Sequence, residues 1–250
     1  MESKRARLIK KTAILLFWLL LWQGISLWVN RPIFLVGPWE TLAAVLRLSG
    51  TAAFWRSVFS SLVRIGFGFA LAFGAGLLCG CLAHFRPFVG ALLSPVVTLM
   101  KTVPVASFVI LALIWAGADN LSLIISFLVV FPIIYLNTAA GLNSTDGQLL
   151  EMSRVYRVRR SARIWHIYRP ALAPYLVSAC QVALGMSWKS GIAAEVIGTP
   201  EYSIGENLYM AKVFFTTDEL FAWTAVIIAL SFLFEKAVLL LIKRAAREIP

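Results

Sequence analysis

Polar and charged side chains are scarce in the long apolar stretches of this sequence, so those that occur there are the first candidates for chemistry. Lys101 lies beside Thr98 and Thr102, and Lys189 lies beside Ser187 and Ser190, with Glu195 six residues further on. A lysine in the middle of a membrane helix costs about 2.5–3.5 kcal/mol unless it finds a partner or water. On a helix, Glu195 would sit about 9 Å along the axis from Lys189 and about 240° round it. That is a poor pair within one helix, so Lys189 must look elsewhere. Two readings stand. Lys101, Thr102, Ser187, Lys189 and Glu195 line a polar path whose positive field suits a small anion, or the lysines snorkel or neutralise a buried carboxylate such as Glu195 on another helix. Arg64, near the outer end of its run, is expected to snorkel.

Catalytic groupings are missing. There is no G-x-x-x-x-G-K-[ST] phosphate loop, no H-E-x-x-H and no G-x-S-x-G. The chain therefore does not hydrolyse ATP by the phosphate-loop route. His84 and His166 are far apart in sequence, and Cys79, Cys81 and Cys180 sit in apolar runs as small buried residues. No catalytic and no metal-ligating residue is assigned.

A second grouping is basic rather than catalytic. The stretch EMSRVYRVRRSARIWHIYRP, Glu151 to Pro170, holds six arginines in twenty residues between two apolar segments. Met152, Val155 and Tyr156 fall at i, i+3 and i+4, and so do Ile164, Ile167 and Tyr168. This predicts two short amphipathic helices, with a junction between Arg159 and Ser161 and Ser161 as N-cap. Helices this short are marginal alone, so the apolar stripes must dock on the spans or on a soluble partner. Enforcing topology and touching anionic lipid would explain the charge, but not the paired stripes.

The elements that must carry these groups are membrane helices. Of 250 residues, 60% are hydrophobic and only 14% charged, with a mean hydropathy of +0.83. Soluble domains average about 45–50% apolar and about 25% charged. The spacing predicts an all-α protein: a basic tail over residues 1–11, then one transmembrane domain over 12–250. Spans are expected at about 12–29, 61–84, 88–115, 121–142, 174–198 and 220–242, with a loop over 143–173. A short interfacial helix is expected near Leu42, Val45 and Leu46. Ala72, Gly76 and Gly80 form a smooth stripe for close helix approach. Pro95, Pro104 and Pro132 are expected to bend their spans.

Sixteen basic residues fall on the side of the N-terminus and four on the other, with Arg64, Lys101 and Lys189 inside spans. This bias places both termini and the arginine-rich loop in the cytoplasm. The net charge of +11 is thus a membrane-topology signal; basic residues divided among loops and tails, without zinc-finger spacing, do not point to nucleic acid.

Glu151 to Pro170 resembles the EAA loop of ATP-binding-cassette importer permeases: EAA, three residues, Gly, nine residues, Ile, one residue, Leu-Pro. Glu151, Ile167 and Pro170 fall in register, while Met152 and Ser153 replace the alanines, Arg157 the glycine and Arg169 the leucine. The runs SPVVTLMKTVPVASFVILALIWAGADN, FPIIYLNTAAGLNSTDGQLLE and PALAPYLVSACQVALGMSWKSGIAAEVIG look like those of nitrate/sulfonate/taurine-type permeases.

The resemblance implies a non-catalytic permease subunit of the inner membrane, working by alternating access. Its implied partners are a second permease copy, cytoplasmic ABC ATPases that bind ATP and Mg, an external solute-binding protein and membrane lipid. It makes Glu151, Met152, Ser153, Arg157, Ile167 and Pro170 the ATPase-coupling residues, with no cofactor in this chain itself. It also sets the region from Glu195 onward near an outer gate, where Glu201, Glu206, Asp218 and Glu219 would face the binding protein. The solute expected is a small anion; a neutral vitamin precursor or other heterocycle as solute, and an ATPase-independent channel or secondary transporter, are the alternatives. Arg157 is expected to keep ordinary helical angles, the bend moving toward Ser161.

Overall fold

A computed structural model describes residues 4–247; Met1–Ser3 and Glu248–Pro250, the extremities of the two basic tails, lie outside it. In chain order the helices are α1 (Lys4–Val29), α2 (Pro38–Ser49), α3 (Ala52–Phe85), α4 (Pro87–Thr102), α5 (Val105–Ala116), α6 (Leu121–Asn143), α7 (Gly147–Val155), α8 (Arg160–Arg163), α9 (Arg169–Gly198), α10 (Ile204–Val213) and α11 (Thr217–Arg247). A π-helical turn, Ile164–Tyr168, joins α8 to α9. No strand occurs among the described residues. Among the described residues five helices are long and apolar enough to cross a membrane, or six if α4 and α5 form one broken span.

The centre of the bundle is the pairing of α3 with α6. It rests on small residues at every fourth position. A Cβ on Gly76 would lie 2.9 Å from that of Ile134, and one on Gly80 would lie 2.6 Å from that of Thr138. At Gly68 it would collide with the carbonyl of Leu123. The stripe predicted at Ala72, Gly76 and Gly80 is therefore the contact seam, and it extends to Gly68. Gly68 meets Leu123 and Ser126 while Gly80 meets Thr138, so α3 and α6 run parallel. Helix α9 is antiparallel to α6: Gly141 lies against Leu172 and Tyr175, and Gly198 against Leu121. Helix α11 runs alongside α3, with Phe54 stacked on Trp223 and Phe69 edge-on to Phe234.

Parallel α3 and α6 require the chain between them to return across the bundle. The expected single span over 88–115 is not one straight helix: α4 and α5 meet at 106°. The cause is Pro104. The residue before a proline is driven out of the helical region, and Val103 sits at φ −73°, ψ 130°. Pro95, Pro132 and Pro174 stay inside their helices. Helix α3 begins earlier than the expected 61, because Thr51 caps it by accepting from the Phe54 amide at 3.3 Å. Phe54, Ser57, Val58, Ser61 and Ile65 then continue a buried helical stripe.

The expected short helix is α2, tied to α11 by Arg47, which reaches Asp218 at 2.9 Å and Glu219 at 3.1 Å. At the opposite end Tyr168 packs on Phe85 and His84. The arginine-rich loop therefore lies at the end where α3 finishes. Helix α1 finishes at the other end, where the Trp22 indole donates to the Val36 carbonyl at 3.0 Å and its ring lies against Phe221.

Overpacking a close seam costs about 1–3 kcal/mol. Gly68→Ala is expected to lower the thermal midpoint of the detergent-solubilised protein and its monodisperse yield. Gly74→Ala, with nothing within 4 Å of the added Cβ, is expected to leave both unchanged.

Candidate functional site

The loop between α6 and α9 is shaped by local bonds. Asp146 starts α7 by accepting from the Gln148 amide at 2.8 Å. The helix ends in a left-handed corner at Arg157, whose φ is 51°. The Val158 amide donates to Ser153 O at 2.9 Å and the Arg157 amide to Arg154 O at 3.1 Å. These are the two closing bonds of a Schellman motif, in which the left-handed position is usually glycine.

Two expectations are corrected here. Arg157 does not keep helical angles; it occupies the strained corner itself. Nor is Ser161 the N-cap, because Arg159 occupies that place and α8 begins at Arg160. The second amphipathic helix is not separate either: helix runs from Arg160 to Gly198 through the π turn. Pro170 has no N–H to donate, and the Arg169 amide reaches back five residues to Ile164 O, the spacing that widens this turn.

The apolar stripe of α7 has no cover in the fold: Met152 is 48% exposed, Val155 78% and Tyr156 77%. Glu151 and Arg157 are exposed beside it, and Ser153 is buried, donating to Leu150 O at 2.7 Å. In the second stripe Tyr168 is docked on Phe85, while Ile164 and Trp165 remain exposed. Ile167 is half-buried and Pro170 exposed. The guanidinium of Arg169 lies 4.3 Å from the centre of the Trp165 ring. Arg163 donates to Val158 O at 3.2 Å, while Arg154, Arg159 and Arg160 are exposed. The result is an apolar patch framed by cations.

The candidate path residues divide into two sets. Lys189 is on the outside of α9, on an exposed stripe with Val182, Met186, Ala193 and Ile197. Lys101 and Thr102 are exposed at the end of α4, beside the break, with Thr102 donating to Thr98 O at 3.0 Å. Neither lysine has an ion-pair partner among the described residues. Ser187 and Glu195 lie on the other side of α9, between helices. Ser187 shares a 2.5 Å hydrogen bond with Ser126 of α6, and Glu195 is 0% exposed. The buried carboxylate meets Ser61 and α10 rather than either lysine.

Arg64 does not simply snorkel: Nη2 is 3.4 Å from Asp119 and Nη1 is buried. Of the four acids expected to face outward, Asp218 and Glu219 already have Arg47 as an internal partner. The hydroxyls Ser57, Ser61 and Ser126, which bond between helices, escaped the sequence reading, as did the buried Ser122. Their spacing of four on α3 and on α6 was the available signal.

Taken together, these features describe a polytopic helical membrane protein with a basic, partly apolar handle at one end and no nucleotide-binding loop. Residues 72–248 match the family described as binding-protein-dependent transport system inner membrane component, and the chain belongs to that family. It is a permease subunit of an ATP-driven importer. Similar proteins include a taurine transport system permease of Escherichia coli, 26% identical over 86% of this chain and 80% of the relative. A putative aliphatic sulfonates transport permease of Bacillus subtilis is 31% identical over 65% of this chain and 59% of the relative. A nitrate import permease of Synechococcus elongatus is 30% identical over 55% and 50%. In the last two cases the match spans less than two thirds of the relative's length. The resemblance to nitrate/sulfonate/taurine-type permeases read from the sequence agrees with these matches.

A left-handed conformation costs an L-residue about 1–2 kcal/mol, and glycine returns part of that gain as chain entropy, about 0.5–1 kcal/mol. Arg157→Gly is therefore expected to raise the thermal midpoint by about 1–3 °C, measured on the solubilised protein. An unchanged or lowered midpoint counts against strain at this corner.

Proposed function

We propose that two copies of this chain enclose the translocation path of an inner-membrane importer for a small anion. The observation that carries this is Lys189, an unpaired cation on an exposed face of a membrane-spanning helix. Turned to lipid it would cost about 2.5–3.5 kcal/mol. A second copy with a wet path between the two removes that cost and puts the positive charge to use. Lys101 and Thr102 at the α4–α5 break extend the polar surface. The relatives' names support the solute class: taurine, aliphatic sulfonates and nitrate, all bearing compact oxyanion groups.

The handle Glu151 to Pro170 is the coupling surface. Met152, Val155 and Tyr156 offer the apolar contact to a cytoplasmic ATPase, which binds ATP and Mg, and the exposed arginines steer it. The charge bias of sixteen to four supports a cytoplasmic handle and cytoplasmic termini. The opposite end, with α2, α10 and the start of α11, then faces outward and receives a solute-binding protein, Glu201 and Glu206 being among its acids with no ion-pair partner among the described residues. Membrane lipid covers the outer faces of the bundle.

The tagged wild-type chain is expected to retain an ATPase through detergent purification, and Val155→Asp to lose it. If the two chains retain the same ATPase, the handle is not the coupling surface. In proteoliposomes, Lys189→Met is expected to raise the KM for taurine or nitrate uptake at least tenfold, about 1.4 kcal/mol. Unchanged uptake at low solute removes Lys189 from the path.

A further inference from the structure

At the outer end of the bundle, the first amides of α10 are held by side chains of other helices. Ile204 N–H donates to Ser61 Oγ of α3 at 2.9 Å. Gly205 N–H donates to Glu195 Oε2 of α9 at 3.3 Å. Ser61 in turn donates to the same Oε2 at 2.7 Å. The opening amides of a helix have no partner within it, and a negative charge there is favoured by the helix dipole. Here the acceptor is a carboxyl oxygen from the last turn of α9. The fit is tight, since a Cβ on Gly205 would collide with the Glu195 backbone and Cβ. A second tie runs from Asn207 Nδ2 to Ser57 Oγ of α3 at 3.1 Å, and Arg56 lies over the Tyr202 ring at 3.4 Å.

The other carboxylate oxygen, Glu195 Oε1, is buried without a hydrogen-bond partner, as are Ser122 Oγ and Arg64 Nη1. Arg64 of α3 reaches Asp119, in the turn before α6, at 3.4 Å. One buried carboxylate thus joins α3, α9 and α10. Helix α9 continues as one helical run of 39 residues from Gly198 back to Arg160, about 58 Å at 1.5 Å per residue. That run starts in the handle.

We infer that Glu195 is a positioning residue that locks α10 to the outer end of α9, so that a load on α10 from the solute-binding protein reaches the handle through a single rod. This rests on the orientation and partners given under Proposed function. Glu195 touches no solute in this arrangement. Its task is to make α10, α9 and the outer end of α3 move as one body, by keeping buried hydrogen bonds that are costly to leave unmade.

The test separates the lock from the importer reading. Hydrogen exchange on the purified chain examines the lock alone. Glu195→Ala and Ser61→Ala are expected to speed exchange of the amides over 204–213 at least tenfold, with 121–143 unchanged. Glu195→Gln, which keeps an acceptor oxygen, is expected to restore most of the protection. ATP hydrolysis by the complex in proteoliposomes is then measured with and without the solute-binding protein that the wild-type complex retains. Both alanine variants are expected to lose at least tenfold in stimulation, with basal hydrolysis and binding-protein affinity within twofold of wild type. Should Glu195→Ala not assemble, Ser61→Ala decides alone, since it leaves the carboxylate in place. Wild-type exchange over 204–213 in Ser61→Ala overturns the lock. Full stimulation in the variants despite faster exchange overturns its role in coupling, and so does a parallel fall of basal and stimulated rates. A wild-type chain that retains no ATPase overturns the importer reading, while the exchange result still judges the lock.

Discussion

The fold depends on how closely two backbones can approach. Helices α3 and α6 meet through Gly68, Gly76 and Gly80, where any side chain would overlap Leu123, Ile134 or Thr138. In lipid, apolar surface gains little by leaving one hydrocarbon environment for another, so contact at backbone range must supply what water supplies to soluble cores. Because the two helices run parallel, this seam also dictates topology. The chain must come back between them, and α4–α5 is that return. A second close contact, at Gly141 and Gly198, sets α9 against α6 in the opposite sense, which brings Glu195 to the end where α3 begins and Arg160 to the end where it finishes.

Much of this could be read from the residues. Long apolar runs and a four-residue small stripe are local or additive signals, and they gave the helices and the seam, while the basic bias is the ground for the proposed sidedness. Pro104 marked where the third run breaks, but no local rule gives 106°. The handle was legible as two apolar stripes in an arginine-rich setting. Its corner was not. Glycine is the usual solution at a left-handed position, so arginine there read as a reason to move the bend. The closing bonds to Ser153 and Arg154 hold the corner in place regardless of the side chain.

Glu195 shows the limit most clearly. In sequence it is a carboxylate six residues from a lysine, and a polar path was the natural setting for both. In the fold the two diverge round the helix. Lys189 faces outward, and Glu195 faces Ser61, 134 residues away in sequence. A carboxylate whose partners are a distant hydroxyl and the amides of a later helix leaves no periodic trace. The serines at spacing four were the only hint, and hydroxyls in membrane helices have a second common use, bonding to their own backbone, as Ser190 does with Met186 O at 2.8 Å.

The left-handed corner at Arg157 bears on how rigidly the two arms of the loop are joined. Glycine roams a wide region at positive φ, whereas other residues have only a small left-handed well. An arginine pivot therefore wobbles less. With the apolar stripe of α7 on one side of that pivot and the long helical run on the other, a stiffer corner means less backlash between the two.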